Sequence, residues 1–268
     1  MIHLIVLTKT YNLSDFKSWL LYHASLVDSI HVLDNDSDVD LESFVAEVKN
    51  ATYQKIHGWP DQYGTYDKIL NENTFNFNDD DFVLCIDDDE YLYFDPNKFN
   101  NLDEAIKFYF KDLDSLLIPQ ILMSTKHLEA SRNEILPLFA TYRRNDFSSQ
   151  GKAIIRYDST AKYQFKHSLV EQGHVPKING IRLSEVVSDK PGHNLSKTTY
   201  GITGYECGLK LYHFHIKSTQ DWQKKFARGS AAKKSQWYDE NITKNKNFGD
   251  YTVPDLTLYN IFKNKLSR

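Results

Sequence analysis

Short strand-like runs, separated by segments with helical spacing, restrict the fold of this sequence more than any other feature. The runs lie at residues 2–7, 29–34, 51–56 and 82–86. A short apolar run without polar interruptions is typical of a strand that is buried on both faces, as in a parallel sheet. Strands that alternate with helices predict an α/β fold with a doubly wound, mostly parallel sheet and right-handed crossovers.

The segments between these runs carry apolar residues at the spacing of amphipathic helices. Ser14 is placed to cap the first helix. The face of that helix consists of Phe16, Trp19, Leu20, His23 and Leu26. Similar spacing predicts helices over residues 41–48 and 63–73.

The second half of the chain is less regular. Residues 115–123 form another strand-like run, and residues 152–157 and 208–216 indicate shorter, antiparallel pieces. Neither a repeat nor a low-complexity linker divides the sequence. We therefore expect one domain, residues 1–268, with a nucleotide-binding-like half (1–115) and an acceptor half with C-terminal helices (116–268), whose strands form a smaller, irregular and antiparallel part.

Polar clusters follow three of the predicted strands. They lie at residues 8–12, 34–40 and 87–90. Ligands of open parallel sheets bind beyond the carboxyl ends of the strands, so these clusters are expected to meet at one site.

The third cluster places Asp87, Asp88, Asp89 and Glu90 directly after a buried strand. On an extended segment, Asp87 and Asp89 would point the same way. Two converging carboxylates suit a hard divalent cation such as Mg²⁺ or Mn²⁺, which also binds phosphate oxygens. The alternative is a solvated acidic turn. Because like charges repel, four neighbouring acids need a counter-charge, and a cation is our expectation.

Two other segments carry chemistry-bearing side chains. Residues 34–45 resemble a calcium loop, but Val39 occupies the position that needs glycine, so we reject that reading. Asp34 is instead expected to accept hydrogen bonds from a ribose or base, and a helix-capping turn is the alternative for Asp36 to Asp40. His213 and His215 share one face of a predicted strand, and one of them could join a carboxylate-bound ion. The alternative is a pair of half-buried structural histidines.

Composition excludes several classes of protein. A net charge of -4 gives no general attraction to nucleic acids or anionic membranes. The two cysteines, Cys85 and Cys207, do not indicate a disulfide framework or a thiolate metal site. The first residues lack the features of a signal peptide, and no apolar run approaches the roughly 20 residues that cross a bilayer. We expect a cytoplasmic protein without a transmembrane segment, which leaves room for peripheral membrane contact.

Taken together, these motifs resemble glycosyltransferases of the GT-A fold, of the family 2-like and family 92 type. The resemblance rests on four blocks in order: "LTKTYNLSDFKSWLLYHASL", "IHVLDNDSDVD", "CIDDDEYL", and "HFHIKS" followed by "KKFARG". The third block is similar to a DxDE motif. Thr10 departs from the pattern, which often has an acidic residue there, and residues 173–204 are only weakly similar.

The resemblance implies transfer of a sugar from a nucleotide diphosphate donor, with uridine diphosphate expected as the nucleotide, to a glycan or other hydroxyl acceptor. It implies Mn²⁺ or Mg²⁺ as cofactor, with Asp87, Asp89 and His215, or else His213, as ligands. The residues expected to contact the donor are Thr8, Tyr11, Asp34, Lys68, Asp87 and Asp88. Glu90 is expected to form local hydrogen bonds instead.

A catalytic base is expected after the strand at residues 115–123, with Glu129 or His127 as candidates and Glu171 and Asp189 behind them. Six basic residues could neutralise a diphosphate or lie on solvated faces: Lys152, Arg156, Lys217, Lys224, Lys225 and Arg228. Two other functions stay open. One is a metal-dependent phosphatase or phosphotransferase, and the other is a cation-dependent glycan-binding module without catalysis.

Overall fold

A computed structural model describes most of the first 165 residues and separate parts of the remainder. The described residues are 1–57, 61–110, 115–125, 134–144, 148–165, 176–178, 181–182, 208–214, 218, 220–221 and 251–266. Within these ranges, no helix is long and apolar enough to cross a membrane.

The elements alternate between strand and helix over the first half of the chain. The strands are β1 (Ile2–Thr8), β2 (Ser29–Asp34), β3 (Ala51–Lys55), β4 (Phe82–Ile86), β5 (Glu90–Phe94), β6 (Ser115–Ser124), β7 (Tyr142–Arg144), β8 (Ser148–Arg156), β9 (Tyr163–Phe165), β10 (Pro176–Ile178), β11 (Ile181–Arg182), β12 (Leu209–His213) and β13 (Tyr251–Pro254). The helices are α1 (Leu13–Ala24), α2 (Glu42–Val45), α3 (Gln62–Asn71), α4 (Leu102–Phe110), α5 (Leu136–Phe139) and α6 (Thr257–Leu266).

The predicted parallel sheet is confirmed. β1 lies between β2 and β4, and β3 continues the sheet beyond β2, with all of these strands parallel. The register pairs Thr8 at the end of β1 with Asp34 at the end of β2. The polar clusters after β1, β2 and β4 therefore lie at one edge of the sheet, as the sequence predicts.

Apolar side chains alternate between the two faces of this sheet, which is why its strands are buried on both sides. Leu4 and Val6 of β1 pack with α1 and α4 on one face, and Ile5 packs on the other. On that second face Tyr66 and Ile69 of α3 complete the core. Helices on both faces confirm the doubly wound arrangement.

The second half of the chain adds mainly antiparallel strands, also as predicted. β8 inserts between β4 and β6 and is antiparallel to both. β7 and β13 extend the sheet beyond β6, while β12 runs parallel to β6 and antiparallel to β5. Strands from both halves thus belong to one ten-stranded sheet, and β9, β10 and β11 form a small second sheet.

Helix α1 begins two residues earlier than expected. Asn12, not Ser14, is the capping residue, and its side-chain oxygen accepts a hydrogen bond from the backbone N–H of Asp15. Asparagine is as good a cap as serine, and its position before Leu13 leaves Ser14 inside the first turn.

The side chains of α1 hydrogen-bond to the backbone of β5. Trp19 Nε1 donates to the carbonyl oxygen of Glu90 at 2.7 Å, and the Tyr22 hydroxyl donates to the carbonyl oxygen of Leu92 at 2.7 Å. The Leu92 N–H donates to Nε2 of His23 at 3.1 Å. The helix thus fixes a strand that was not predicted as a separate element, and β5 begins at the last residue of the acidic cluster.

Candidate active site

The site is built at the carboxyl ends of β1, β2 and β4. The backbone N–H of Asn35 donates to the carbonyl oxygen of Thr8 at 2.8 Å, which continues the pairing of β1 with β2 past the strand ends. The Thr8 hydroxyl donates to Oδ2 of Asp88 at 2.6 Å, which links β1 to the segment after β4. Three segments that are distant in sequence therefore converge at one edge of the sheet.

Residues 87–90, called the acidic turn from here on, do not form the extended segment that we expected. The Glu90 N–H donates to the carbonyl oxygen of Asp87 at 3.1 Å, which closes a turn between β4 and β5. The expectation of an extended segment, on which Asp87 and Asp89 would point the same way, is therefore wrong. Asp89 is 5% exposed, and its backbone carbonyl accepts from the N–H of Phe214, which follows β12.

A buried lysine provides a counter-charge to the acidic turn. Lys152 of β8 is 1% exposed, and its Nζ lies 3.0 Å from Oδ2 of Asp87 and 3.3 Å from Oε2 of Glu90. The other oxygen of Asp87 accepts from Gln62 Nε2 at 2.8 Å, and the other oxygen of Glu90 accepts from Gln120 Nε2 at 2.8 Å. We call these five residues the Lys152 network.

Burial and charge act together on this network. Burial raises the pKa of Glu90 to about 8, an effect that Lys152 opposes and Asp87 adds to. Burial lowers the pKa of Lys152, but Asp87 and Glu90 outweigh that effect and hold it above its ordinary value. Lys152 is therefore protonated at neutral pH. Glu90 also accepts from the N–H of Asp87 at 2.9 Å, in agreement with the local hydrogen bonding expected for it.

His213, at the end of β12, faces the other part of the acidic turn. Its Nε2 lies 3.5 Å from Oδ1 of Asp89, and its Nδ1 lies 4.0 Å from Oε1 of Glu90. An imidazole nitrogen beside a carboxylate oxygen is a donor pair that suits Mn²⁺. Within the described ranges, no group of three or more histidine, cysteine, aspartate or glutamate side chains could hold a metal ion. Asp89 and His213 could thus provide two ligands of a cation, and its remaining ligands would have to be other groups.

The residues expected at the nucleoside have different surroundings. Asp34 is 3% exposed; its carboxylate accepts from the Ser37 N–H at 2.9 Å and from the Tyr53 hydroxyl at 2.8 Å. The Asp34 carboxylate thus links the turn after β2 to Tyr53 of β3, and its role at a nucleoside stays a prediction. The Tyr11 hydroxyl donates to Oδ1 of Asp221 at 2.8 Å, which ties the loop after β1 to the C-terminal part of the chain.

Lys68 is the predicted donor-binding residue that the structure does not bring to the acidic turn. Its Nζ lies 4.0 Å from Glu72 on the same helix, and its side chain is 70% exposed. Lys68 is six residues along α3 from Gln62, the α3 residue that contacts Asp87, or about 9 Å along the helix axis.

Several predicted residues lie outside the described ranges. They are His127, Glu129, Glu171, Asp189, His215, Lys217, Lys224, Lys225 and Arg228. Their roles stay predictions, including the choice of Glu129 or His127 as base and of His215 as metal ligand.

Sequence reasoning missed the place of Lys152 and both glutamines of its network. Lys152 was considered only as a residue that could neutralise a diphosphate. Its neighbours gave a signal, because Ala153, Ile154 and Ile155 are buried strand residues and a lysine in such a strand needs a buried partner. Gln62 and Gln120 carry no comparable signal, since glutamine is common on exposed helix and strand positions.

No protein-family model matches the chain, and no curated protein matches its sequence. Among solved structures, mannose-6-phosphate isomerase from Helicobacter pylori is 17% identical with a TM-score of 0.35, over 58% of this chain and 70% of that chain. A proposed nucleotide-diphospho-sugar transferase from Desulfovibrio desulfuricans is 10% identical with a TM-score of 0.32, over 92% and 96%. The glycosyltransferase GlyE from Streptococcus pneumoniae is 10% identical with a TM-score of 0.36, over 95% and 65%.

These structures include transferases that resemble the chain over most of its length. At such TM-scores the likeness carries no argument about activity. The α/β architecture is established by the sheet and its helices, and the function has to be inferred from the residues of the site.

Proposed function

We propose that this chain is a glycosyltransferase that moves a sugar from a nucleotide diphosphate donor, a uridine diphosphate sugar in the first instance, to a hydroxyl group of a glycan or similar acceptor. One observation carries the proposal. Thr8, Asp88 and Asp89 converge with His213 beyond the carboxyl ends of parallel strands, where open α/β sheets bind nucleotides. Residues 8, 88–89 and 213 come from three separate parts of the chain, and a solvated turn would not require that convergence.

A divalent cation, Mn²⁺ or Mg²⁺, is part of the proposal. Asp89 and His213 are the described residues that would hold it, and His215 stays a proposed further ligand. When bound, such an ion stabilises the negative charge that develops on a leaving diphosphate. The same reasoning does not extend to Asp87, because its two oxygens already accept from Lys152 and Gln62.

The chain's own residues have separate tasks in this reaction. The acceptor oxygen forms a bond to the anomeric carbon while the bond from that carbon to the diphosphate oxygen breaks. The acceptor hydroxyl loses its proton to a general base, for which Glu129 and His127 are the proposed candidates. Thr8 orients Asp88 at the donor end of the sheet through its 2.6 Å hydrogen bond.

The phosphatase alternative is disfavoured by the contacts of Asp87. A nucleophilic aspartate at the end of a strand needs an oxygen directed at the phosphorus atom. In this structure one oxygen of Asp87 lies 3.0 Å from Lys152 and the other 2.8 Å from Gln62. The glycan-binding alternative lacks a comparable structural objection, so the experiment has to separate it from the transferase.

The test is thermal unfolding with uridine diphosphate and Mn²⁺, each alone and both together. A ligand at 100 times its dissociation constant should add about 2.7 kcal/mol to the free energy of unfolding. We expect that gain only when both are present, and we expect Asp89→Asn to abolish it. Asp103→Asn is the matched control, because Asp103 is a half-exposed aspartate of α4 that pairs with Lys107 at 2.8 Å.

A transferase should also hydrolyse a uridine diphosphate sugar slowly in the presence of Mn²⁺, whereas a glycan-binding module should not. Equal thermal shifts in Mn²⁺ and in EDTA would contradict the cation-dependent donor site. Hydrolysis of a phosphate monoester at a higher rate than the nucleotide sugar would favour the phosphatase.

A further inference from the structure

We propose that Lys152 is a positioning residue of this site: its ammonium occupies the place beside Asp87 and Glu90 that a metal ion would otherwise take, and so restricts cation binding to Asp89 and His213. The proposal deepens the proposed function, because it assigns separate roles to the two aspartates of the DxD pattern.

The backbone fixes the position of Lys152. β8 pairs with β6 through Ile118 and Lys152, and with β4 through Leu84 and Ile154. Gly151 allows the two strands to approach closely, because a Cβ atom there would collide with the carbonyl oxygen of Ile118. The lysine is therefore held in the middle of the sheet beside the end of β4, and its side chain contacts the acidic turn that follows β4.

The contacts of Lys152 divide the acidic turn into two parts. Asp87 and Glu90 form one part, with Nζ of Lys152 at 3.0 and 3.3 Å from their oxygens. Asp88 and Asp89 form the other part, where the Thr8 hydroxyl donates to Asp88 and the His213 ring lies 3.5 Å from Asp89. Lys152 contacts only the first part, whereas His213 lies nearer to the second, at 3.5 Å from Asp89 against 4.0 Å from Glu90.

Charge explains why the division affects cation binding. The ammonium group carries one positive charge and is 1% exposed, so water screens it poorly. A divalent ion on Asp87 would lie close to this charge and would be repelled by it, while an ion held by Asp89 and His213 would not share a carboxylate with the lysine. Removal of the ammonium should therefore release Asp87 to bind a cation.

The sign of this effect distinguishes positioning from a purely structural role. A lysine that only stabilises the fold would, when removed, loosen the site and weaken Mn²⁺ binding. A lysine that keeps a cation away from Asp87 would, when removed, strengthen Mn²⁺ binding and make it depend on Asp87. Transfer should fall in either case, so activity alone does not decide between them.

The experiment measures Mn²⁺ binding directly, from the electron paramagnetic resonance signal of the free ion. Lys152→Met removes the charge and keeps a side chain of similar length. If that variant does not fold, Lys152→Met with Glu90→Gln also removes the buried carboxyl group that would lose its ammonium partner, and the Gln oxygen can still accept from the N–H of Asp87. Lys107→Met is the control, since Lys107 is a lysine of α4 that is 65% exposed.

In the unaltered Lys152 background, we expect Asp89→Asn to weaken Mn²⁺ binding at least tenfold and Asp87→Asn to change it less than threefold. In the Lys152→Met background, we expect binding at least fivefold tighter than in the starting protein. Addition of Asp87→Asn to that background should cancel the gain.

Two results would overturn the proposal. The first is that Asp87→Asn weakens Mn²⁺ binding as strongly as Asp89→Asn does. The second is that removal of the Lys152 ammonium weakens Mn²⁺ binding. Failure of the proposed function is distinguishable from both. A starting protein that binds neither Mn²⁺ nor uridine diphosphate would refute the transferase, while Asp87-dependent Mn²⁺ binding in the Lys152→Met protein would still support the role of the lysine.

Discussion

Replacement of His23 by phenylalanine should destabilise the protein by an amount that depends on pH. His23 is 0% exposed and links α1 to β5: its Nδ1–H donates to the carbonyl oxygen of Trp19 at 2.9 Å, and its Nε2 accepts from the Leu92 N–H. Because a carbonyl only accepts and an N–H only donates, these partners fix one neutral tautomer. Phenylalanine preserves the ring but provides no acceptor for the buried N–H of Leu92. An unsatisfied buried donor costs about 1–3 kcal/mol, so we expect about 2 kcal/mol at pH 7.

The pH dependence follows from the pKa of the imidazole. Burial lowers the pKa of His23 from 6.5 to about 3, while the hydrogen bond to Trp19 opposes that effect. The stability that neutral His23 contributes is therefore present above pH 6.5 and is lost progressively as the pH falls toward 3. Between pH 7 and pH 5 the unfolded chain gains about 0.7 proton at this position and the folded chain gains almost none. Acidification from pH 7 to pH 5 therefore lowers the free energy of unfolding of the protein with His23 by about 2 kcal/mol through this residue. His23→Phe lacks that contribution.

Urea unfolding at pH 7 and pH 5 measures both values. The difference between the two proteins should shrink from about 2 kcal/mol at pH 7 to near zero at pH 5. Contributions from other buried histidines cancel, because both proteins contain them. His57→Gln, at an imidazole that is 78% exposed, controls for replacement of a histidine as such. A difference of equal size at both pH values would refute the buried neutral imidazole as the link between α1 and β5.

Two further predictions concern residues near the acidic turn. Cys85→Ala should cost about 1–2 kcal/mol of stability, because Cys85 is 3% exposed and its packing is lost. Turnover of the folded protein should stay unchanged, because burial raises the pKa of the thiol and keeps it protonated. A large loss of turnover in well-folded protein would contradict this. Thr8→Val should weaken the affinity for uridine diphosphate with Mn²⁺, measured by calorimetry, about tenfold, because Asp88 loses its 2.6 Å hydrogen bond. The same change should cost about 1 kcal/mol of stability. Unchanged affinity would remove Thr8 from the donor site.

The sequence was sufficient to predict the parallel part of the fold. The runs at residues 2–7, 29–34 and 82–86 form neighbouring parallel strands. Because such strands are buried on both faces, they contain few polar residues that would obscure the apolar pattern. The convergence of polar clusters at the strand ends followed from the same topology. These inferences depend on local pattern and on a general rule of connection, and both are readable without coordinates.

The internal arrangement of the site was not readable in the same way. Lys152 and Asp87 are 65 residues apart, and neither residue's neighbours indicate the other. The turn at residues 87–90 was interpreted as extended because the sequence offers no glycine or proline there to mark it. His23 was expected only on the packed face of a helix, since its acceptor role depends on a strand 69 residues away. Long-range polar contacts of this kind have no periodicity, so they leave no pattern in the sequence.

The contacts between α1 and β5 also affect association between molecules. A strand at the rim of a sheet usually exposes N–H and carbonyl groups that can recruit a strand from another chain, which is a common route to aggregation. In β5 the backbone of Glu90 and Leu92 is already bonded to Trp19, Tyr22 and His23. Another rim of the sheet, β3, is protected differently, by exposed polar residues such as Thr52 and Gln54. A helix therefore blocks intermolecular strand addition next to the acidic turn, where added surface lysines would disturb the charge balance of the site.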